Sequence, residues 1–147
     1  MQRLLPPRLA LILAALMVGF DRFLPGPELV PPGFQWLGGP LFLLGLVVTI
    51  VARAQFARAR TNIYTFRQPD HLVTDGLFRF TRNPMYLGFS LALTGLAVFL
   101  GSTPAMLCAV AYLVISDRWY IAFEEDMMRA RFGEAYLRYA RRTRRWL

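Results

Sequence analysis

The joint Gly101-Ser102-Thr103-Pro104 constrains this chain more than any other feature, because it lies between two long apolar runs. Gly101 can take the left-handed conformation that ends a helix, Ser102 or Thr103 can cap the next, and Pro104 suits a first helical turn. So short and uncharged a joint makes the two runs a tight antiparallel helical hairpin. The other ends of both helices then share one side. Residues 70–88, polar and rich in ligand-type side chains, are thereby brought to the acidic cluster Glu124, Glu125 and Asp126.

The rest of the chain repeats the apolar pattern. A hydrocarbon core of about 30 Å needs roughly 20 apolar residues as helix. Spans are expected at about 8–24, 36–54, 84–101 and 104–123, within one unit covering residues 1–147. No small-x-small pattern precedes Asp21-Arg22, so the first span is read as retained and not as a cleaved leader. Hydrophobic residues make up 56% of the chain, yet its formal net charge is +8, a combination usual for membrane proteins with basic cytosolic segments. All 17 basic residues are arginine. They crowd residues 1–8, the connection 53–83 and the C-terminus, while the Pro/Gly-rich loop after span one offers only Arg22. Positive-inside bias puts both termini and residues 53–83 in the cytosol, which fits a bacterial cytoplasmic membrane. The expected fold is all-α, a polytopic bundle of four transmembrane helices with a C-terminal amphipathic helix.

Beyond Pro104 no proline or glycine intervenes before Gly133. Thirty helical residues from Thr103 make roughly 45 Å, so the last turns must project past the bilayer. Asp117 and Glu124 are seven apart and are expected on one face, with Arg118 and Glu125 on the adjoining one. Asp117 and Arg118 sit where an ionised group costs at least about 2.5 kcal/mol. One stripe of this helix therefore lines something polar, or an internal ion pair involving Arg118 braces the bundle. In the tail, 133–147, aromatic residues alternate with Arg138, Arg141, Arg142, Arg144 and Arg145. Directly behind a membrane helix, that pattern is an interfacial helix on lipid, not a nucleic-acid arm.

Asn83-Pro84 opens the third helix with a favoured cap and first residue. The unpaired N–H groups there, with Arg82 beside them, attract carboxylate or phosphate. Thr74-Asp75-Gly76 is a turn whose backbone can meet a nucleobase edge, and Phe78, Phe80 and Tyr86 offer stacking faces. Glu124 and Glu125 suit a cationic or hydroxyl-rich partner. S-adenosylmethionine has all these groups, and a nicotinamide nucleotide has many of them. Cys108 is the only cysteine and His71 the only histidine, so no disulfide and no metal site is expected.

The motifs His71-Leu72-Val73-Thr74-x-Gly76-x-Phe78, Arg82-Asn83-Pro84-Met85-Tyr86-x-Gly88, and Glu124-Glu125 followed by Phe132-Gly133-x-x-Tyr136-x-x-Tyr139 resemble those of integral membrane enzymes of the isoprenylcysteine carboxyl methyltransferase and phospholipid methyltransferase superfamily. The resemblance covers about residues 70–140. It implies a methyl-donor site lined by His71, Leu72, Val73, Phe78, Asn83, Pro84, Met85, Tyr86 and Glu124, with His71 contacting the adenosine moiety. Family members typically carry an arginine one turn before that glutamate; here the position is Tyr120, with Arg118 nearby. They also often carry histidine where this chain has Asn83.

The leading expectation is an S-adenosylmethionine-dependent methyltransferase. Arg82 and Glu125 complete the donor site. Arg118, Tyr120 and Glu124 serve the reaction, and a lipidic or small membrane-accessible carboxylate, thiol or amine is the acceptor. A nicotinamide-dependent membrane reductase, using Arg79 and Arg82 for a phosphate, and a non-catalytic membrane module are the alternatives.

Overall fold

A computed structural model describes residues 5–24, 26–59 and 70–147. Arg3, Arg60 and Arg67, counted above for orientation, lie outside those residues. Five helices lie among the described residues: α1 (Pro6–Phe23), α2 (Gly38–Arg58), α3 (Pro84–Leu100), α4 (Thr103–Phe132) and α5 (Glu134–Arg142). A 3-10 segment, Pro32–Leu37, leads into α2, and another, Gly76–Arg79, stands between α2 and α3. There is no strand among the described residues, only two isolated bridges, Glu28 with Ser102 and Thr81 with Arg144. Pro32–Arg58 and Thr103–Phe132 are long and apolar enough to cross a membrane, while the apolar Pro84–Leu100 is shorter.

The hairpin forms as its joint dictates. Gly101 ends α3 at φ +76°, and Ser102 occupies the cap position of α4. The α1–α2 loop closes on the joint: the N–H groups of Leu29 and Val30 donate to the Gly101 carbonyl, and the Thr103 hydroxyl donates to that of Pro27 at 2.7 Å. Both connections thus lie at one end of the bundle. The 70–83 segment and the C-terminus gather at the other.

Two kinds of packing hold the helices. Leu9, Leu13 and Met17 of α1 enter a core with Leu93 and Ala97 of α3 and Ala105, Cys108 and Tyr112 of α4. By contrast, α2 meets α3 through small residues seven apart, Gly38 and Gly45 against Gly95 and Gly88. A Cβ on Gly45 would stand 2.3 Å from the Ala92 backbone nitrogen, and one on Gly38 2.3 Å from the Gly95 carbonyl oxygen. Backbone meets backbone along this seam, which is how helices associate where lipid removes the hydrophobic drive between them. Away from this seam many α2 side chains, including Leu43, Val47 and Ile50, are exposed, although Ala52 is buried.

One irregularity inside α4 governs the site. Residues Ser116–Ile121 form a π-helical turn between regular α-helical stretches. A π turn holds one residue more than an α turn and is common at functional sites. Positions that share a face across it are eight apart, not seven.

Candidate functional site

The 70–83 segment is anchored from α2. Gly76, at φ +59°, lies so close to Gln55 that a Cβ would collide with that side chain. The Gln55 Oε1 accepts the Leu77 N–H at 3.2 Å. Next to it, Phe56 meets the edge of the buried Phe78 ring at a centroid distance of 4.7 Å. The chain then enters α3 through Asn83 and Pro84. Asn83 holds the cap position, but its side chain does not cap the helix; its amide donates to the Arg145 carbonyl at 3.0 Å. The expected capping role is corrected accordingly: the Asn83 side chain is turned to the C-terminus and accepts no first-turn N–H, while the Asn83 N–H itself donates to Thr81 Oγ1 at 3.1 Å.

The C-terminal segment supplies the other wall. The Tyr139 hydroxyl donates to the Phe78 carbonyl at 2.6 Å, the Thr81 hydroxyl to that of Arg145 at 3.0 Å, and the Arg82 N–H to that of Arg144 at 2.9 Å. Burial raises the Tyr139 phenol well above its ordinary pKa, so it remains a donor. The tail expected to lie on lipid is therefore also a structural part of the site.

At the base of this arrangement is an ionic clasp. Glu125 is 4% exposed. One of its oxygens accepts from Arg82 Nη2 at 2.7 Å and the other from Arg145 Nη2 at 2.6 Å. Arg145 also reaches Asp117 Oδ1 at 3.2 Å, and Trp146 Nε1 donates to that oxygen at 2.9 Å. The hydrogen bond to Glu125 raises the already high pKa of Arg145 further. The Nη1 group of Arg82 donates to the Ala140 and Thr143 carbonyls at the end of α5, where a cation is favoured by the helix dipole. The clasp ties the start of α3, the middle and end of α4, and the C-terminus into one unit.

Glu124 faces elsewhere. Its Oε1 accepts the Tyr86 hydroxyl at 2.8 Å, and Tyr86 stacks on Tyr120 at 6.4 Å between centroids. The expected sharing of one face by Asp117 and Glu124 is thus overturned: Asp117 shares Arg145 with Glu125. The π turn is the cause, since it shifts the register by one residue. Arg118 does pair with Asp117, at 3.6 Å, but its side chain is 84% exposed, so the pair lies at the surface and does not brace the interior.

A cavity of about 670 Å³ lies above the clasp, lined by α1, α2, α3, α4 and α5 together with the 72–83 segment, a size that suits a small-molecule ligand. Leu72, Val73, Phe78, Arg82, Asn83, Pro84, Met85, Tyr86, Glu124 and Glu125 all contribute to its wall. Three expected site residues do not. His71 is exposed, Tyr120 is buried behind Tyr86, and Arg118 points outward. The pair Arg79 and Arg82, considered for a nucleotide phosphate, is split, because Arg82 belongs to the clasp and Arg79 lines a different recess. Away from the polar end the cavity continues as an apolar groove between α1 and α2, with Ala10, Leu11 and Ala14 on one side and Phe42, Leu46 and Ile50 on the other. Phe56, Tyr136 and Tyr139 were not among the expected site residues, yet all three line the cavity. For the tyrosines the signal was present, since Tyr136 and Tyr139 lie one helical turn apart in an otherwise arginine-rich helix.

Residues 34–135 match the model of the phospholipid methyltransferase family, and the chain belongs to that family. Among curated relatives, Protein-S-isoprenylcysteine O-methyltransferase B of Arabidopsis thaliana is 30% identical over 115 residues, which cover 72% of this chain and 55% of the relative. Protein-S-isoprenylcysteine O-methyltransferase A of the same plant is 31% identical over 68% of this chain and 52% of its own length. The chain thus spans about half the length of these two relatives. An uncharacterized protein of Haemophilus influenzae is 35% identical over 63 residues, its whole length and 43% of this chain. The family match takes in α2, the 70–83 segment, α3 and α4, and stops short of Tyr136, Tyr139 and Arg145.

Proposed function

We propose that this protein is an integral membrane methyltransferase that uses S-adenosylmethionine and acts on a lipidic or small membrane-accessible acceptor. The observation that carries the reading is the cavity itself, which joins a polar end at Glu124, Tyr86 and the α3 N-terminus to an apolar groove between α1 and α2. The family membership and the plant methyltransferase relatives point the same way. The four-span topology with both termini in the cytosol belongs to this proposal, and it places the polar end of the cavity at the cytosolic surface.

The residues present fit the methyl donor. Pro84 has no N–H, so the first-turn amides of Met85 and Tyr86 are the donors that α3 leaves for a carboxylate. Arg82 adds positive charge to that end, although its N–H groups are engaged by Glu125 and α5. Leu72, Val73 and Phe78 form an apolar wall for an adenine face. Glu124, held by the Tyr86 hydroxyl, provides the negative charge that a cationic, hydroxyl-bearing donor requires. When bound, the donor supplies an electrophilic methyl group. Displacement from a sulfonium is a single in-line step, so the chain's contribution is to hold both reactants in line and keep water out. The α1–α2 groove admits an acceptor chain from the bilayer, with its reacting headgroup toward Glu124.

Calorimetric titration of detergent-purified protein with S-adenosylmethionine tests the reading. Saturable binding that weakens in Glu124→Gln supports it, and no heat up to millimolar donor overturns it. Labelled-donor methylation of a lipid extract then identifies the acceptor class.

A further inference from the structure

On the far side of the Tyr139 wall lies a second recess, of about 650 Å³, lined by Thr74, Asp75, Arg79, Arg138 and Arg142 among others. We propose that this recess binds the phosphate of an anionic membrane lipid, at a site separate from the methyl-donor cavity.

The argument begins with charge. Arg138 and Arg142 stand one turn apart on α5, and so share a face, while Arg79 comes from the 3-10 turn. None of the three guanidinium groups has an ion-pair or hydrogen-bond partner among the described residues. The contrast with Arg82 and Arg145 is sharp, since both grip carboxylates and Arg82 two carbonyls as well. Only the Asp75 carboxylate shares the recess with three like charges. The fold nonetheless keeps them together: the Tyr139 hydroxyl bonds the Phe78 carbonyl, and the Thr143 hydroxyl lies 3.5 Å from that of Arg79. Mutual repulsion among these groups is relieved by an anion, and guanidinium forks match phosphate oxygens in geometry as well as charge.

The lipid source follows from the surroundings. The recess lies at the end of the bundle where α2 and α4, both long and apolar enough to cross a membrane, terminate in Arg58 and Phe132. Beside Arg79 the Phe80 ring is 69% exposed, and beside Arg138 the Leu137 side chain is also exposed. Basic groups flanked by exposed apolar side chains suit the headgroup layer, where anionic lipid attracts arginine.

Native mass spectrometry of the full chain in detergent, without methyl donor, tests this by comparing retention of phosphatidylglycerol, phosphatidylcholine and glycerol 3-phosphate. Preferential retention of phosphatidylglycerol is expected, reduced about tenfold or more in R138Q/R142Q and several-fold in R79Q. The control R141Q removes the same charge from an exposed position of the same helix outside the recess, and should leave retention unchanged. R142K, which keeps the charge but loses the fork, should retain phosphatidylglycerol better than R138Q/R142Q and less well than the parent protein. An equal loss in R141Q would reduce the site to diffuse attraction and overturn the proposal. So would equal retention of phosphatidylcholine, or binding of glycerol 3-phosphate as tight as that of the lipid. Because the readout needs no donor, its failure is distinguishable from failure of the methyltransferase reading.

Discussion

Glu124 and Glu125 are neighbours in sequence and opposites in surroundings. Glu125 is enclosed by Arg82 and Arg145 and holds three parts of the chain together. Glu124 bonds a phenol and borders a cavity. A carboxylate gripped by two guanidinium groups has little capacity left for a ligand. A carboxylate that accepts from a neutral phenol is not neutralised by that contact. The difference separates a structural role from a ligand-facing role within one helical turn.

The largest effect should come from breaking the clasp. Glu125→Gln removes the charge between two largely buried arginines, and loss of one member of a buried pair costs about 3–5 kcal/mol. Thermal unfolding in detergent should show a large drop in midpoint. An unchanged midpoint would erase the contrast between the two glutamates.

Glu124→Gln should act on binding instead. Hydrogen bonds to charged groups contribute roughly 1.5–3 kcal/mol, so donor affinity should fall about tenfold or more, with the unfolding midpoint nearly unmoved. Affinity measured alongside stability distinguishes the two residues, and a reversed pattern would exchange their roles.

Asn83→Ser sharpens the clasp side of the comparison. Serine is a competent N-cap, but it is too short to reach the Arg145 carbonyl as the Asn83 amide does. A loss of about 0.5–1.5 kcal/mol is expected, appearing first as faster hydrogen exchange in residues 143–147. Equal exchange in both proteins would show that the amide contact contributes nothing to holding the tail.

Arg118→Gln should have the smallest effect. Exposed ion pairs contribute about 0–1 kcal/mol, and Arg118 lies outside the cavity wall. Donor affinity and midpoint should both stay near those of the parent protein. A large loss of acceptor turnover alone would return Arg118 to the reacting site.

Much of this architecture was legible because it is written in local signals. The Gly101–Pro104 joint, the Asn83-Pro84 helix start and the turn at Gly76 each depend on backbone preferences of a few consecutive residues. Their consequence, one end shared by the 70–88 segment and the acidic cluster, follows from the shortness of the joint. The α2–α3 seam was less visible, since glycines seven apart acquire meaning only when their partners on the other helix are known.

The sequence by itself determined the order of helices, the hairpin and the stretches of chain that form the cavity. Only the tertiary structure decided that Glu125 is locked between Arg82 and Arg145. A π turn at Ser116–Ile121 carries no plain signal in residue type, and it moves Asp117 into line with Glu125. Arg145, which joins those two carboxylates, lies 20 residues beyond one and 28 beyond the other. Helical periodicity describes a regular helix in isolation, whereas here the face is set by an irregular turn and by charges returning from the far end of the chain.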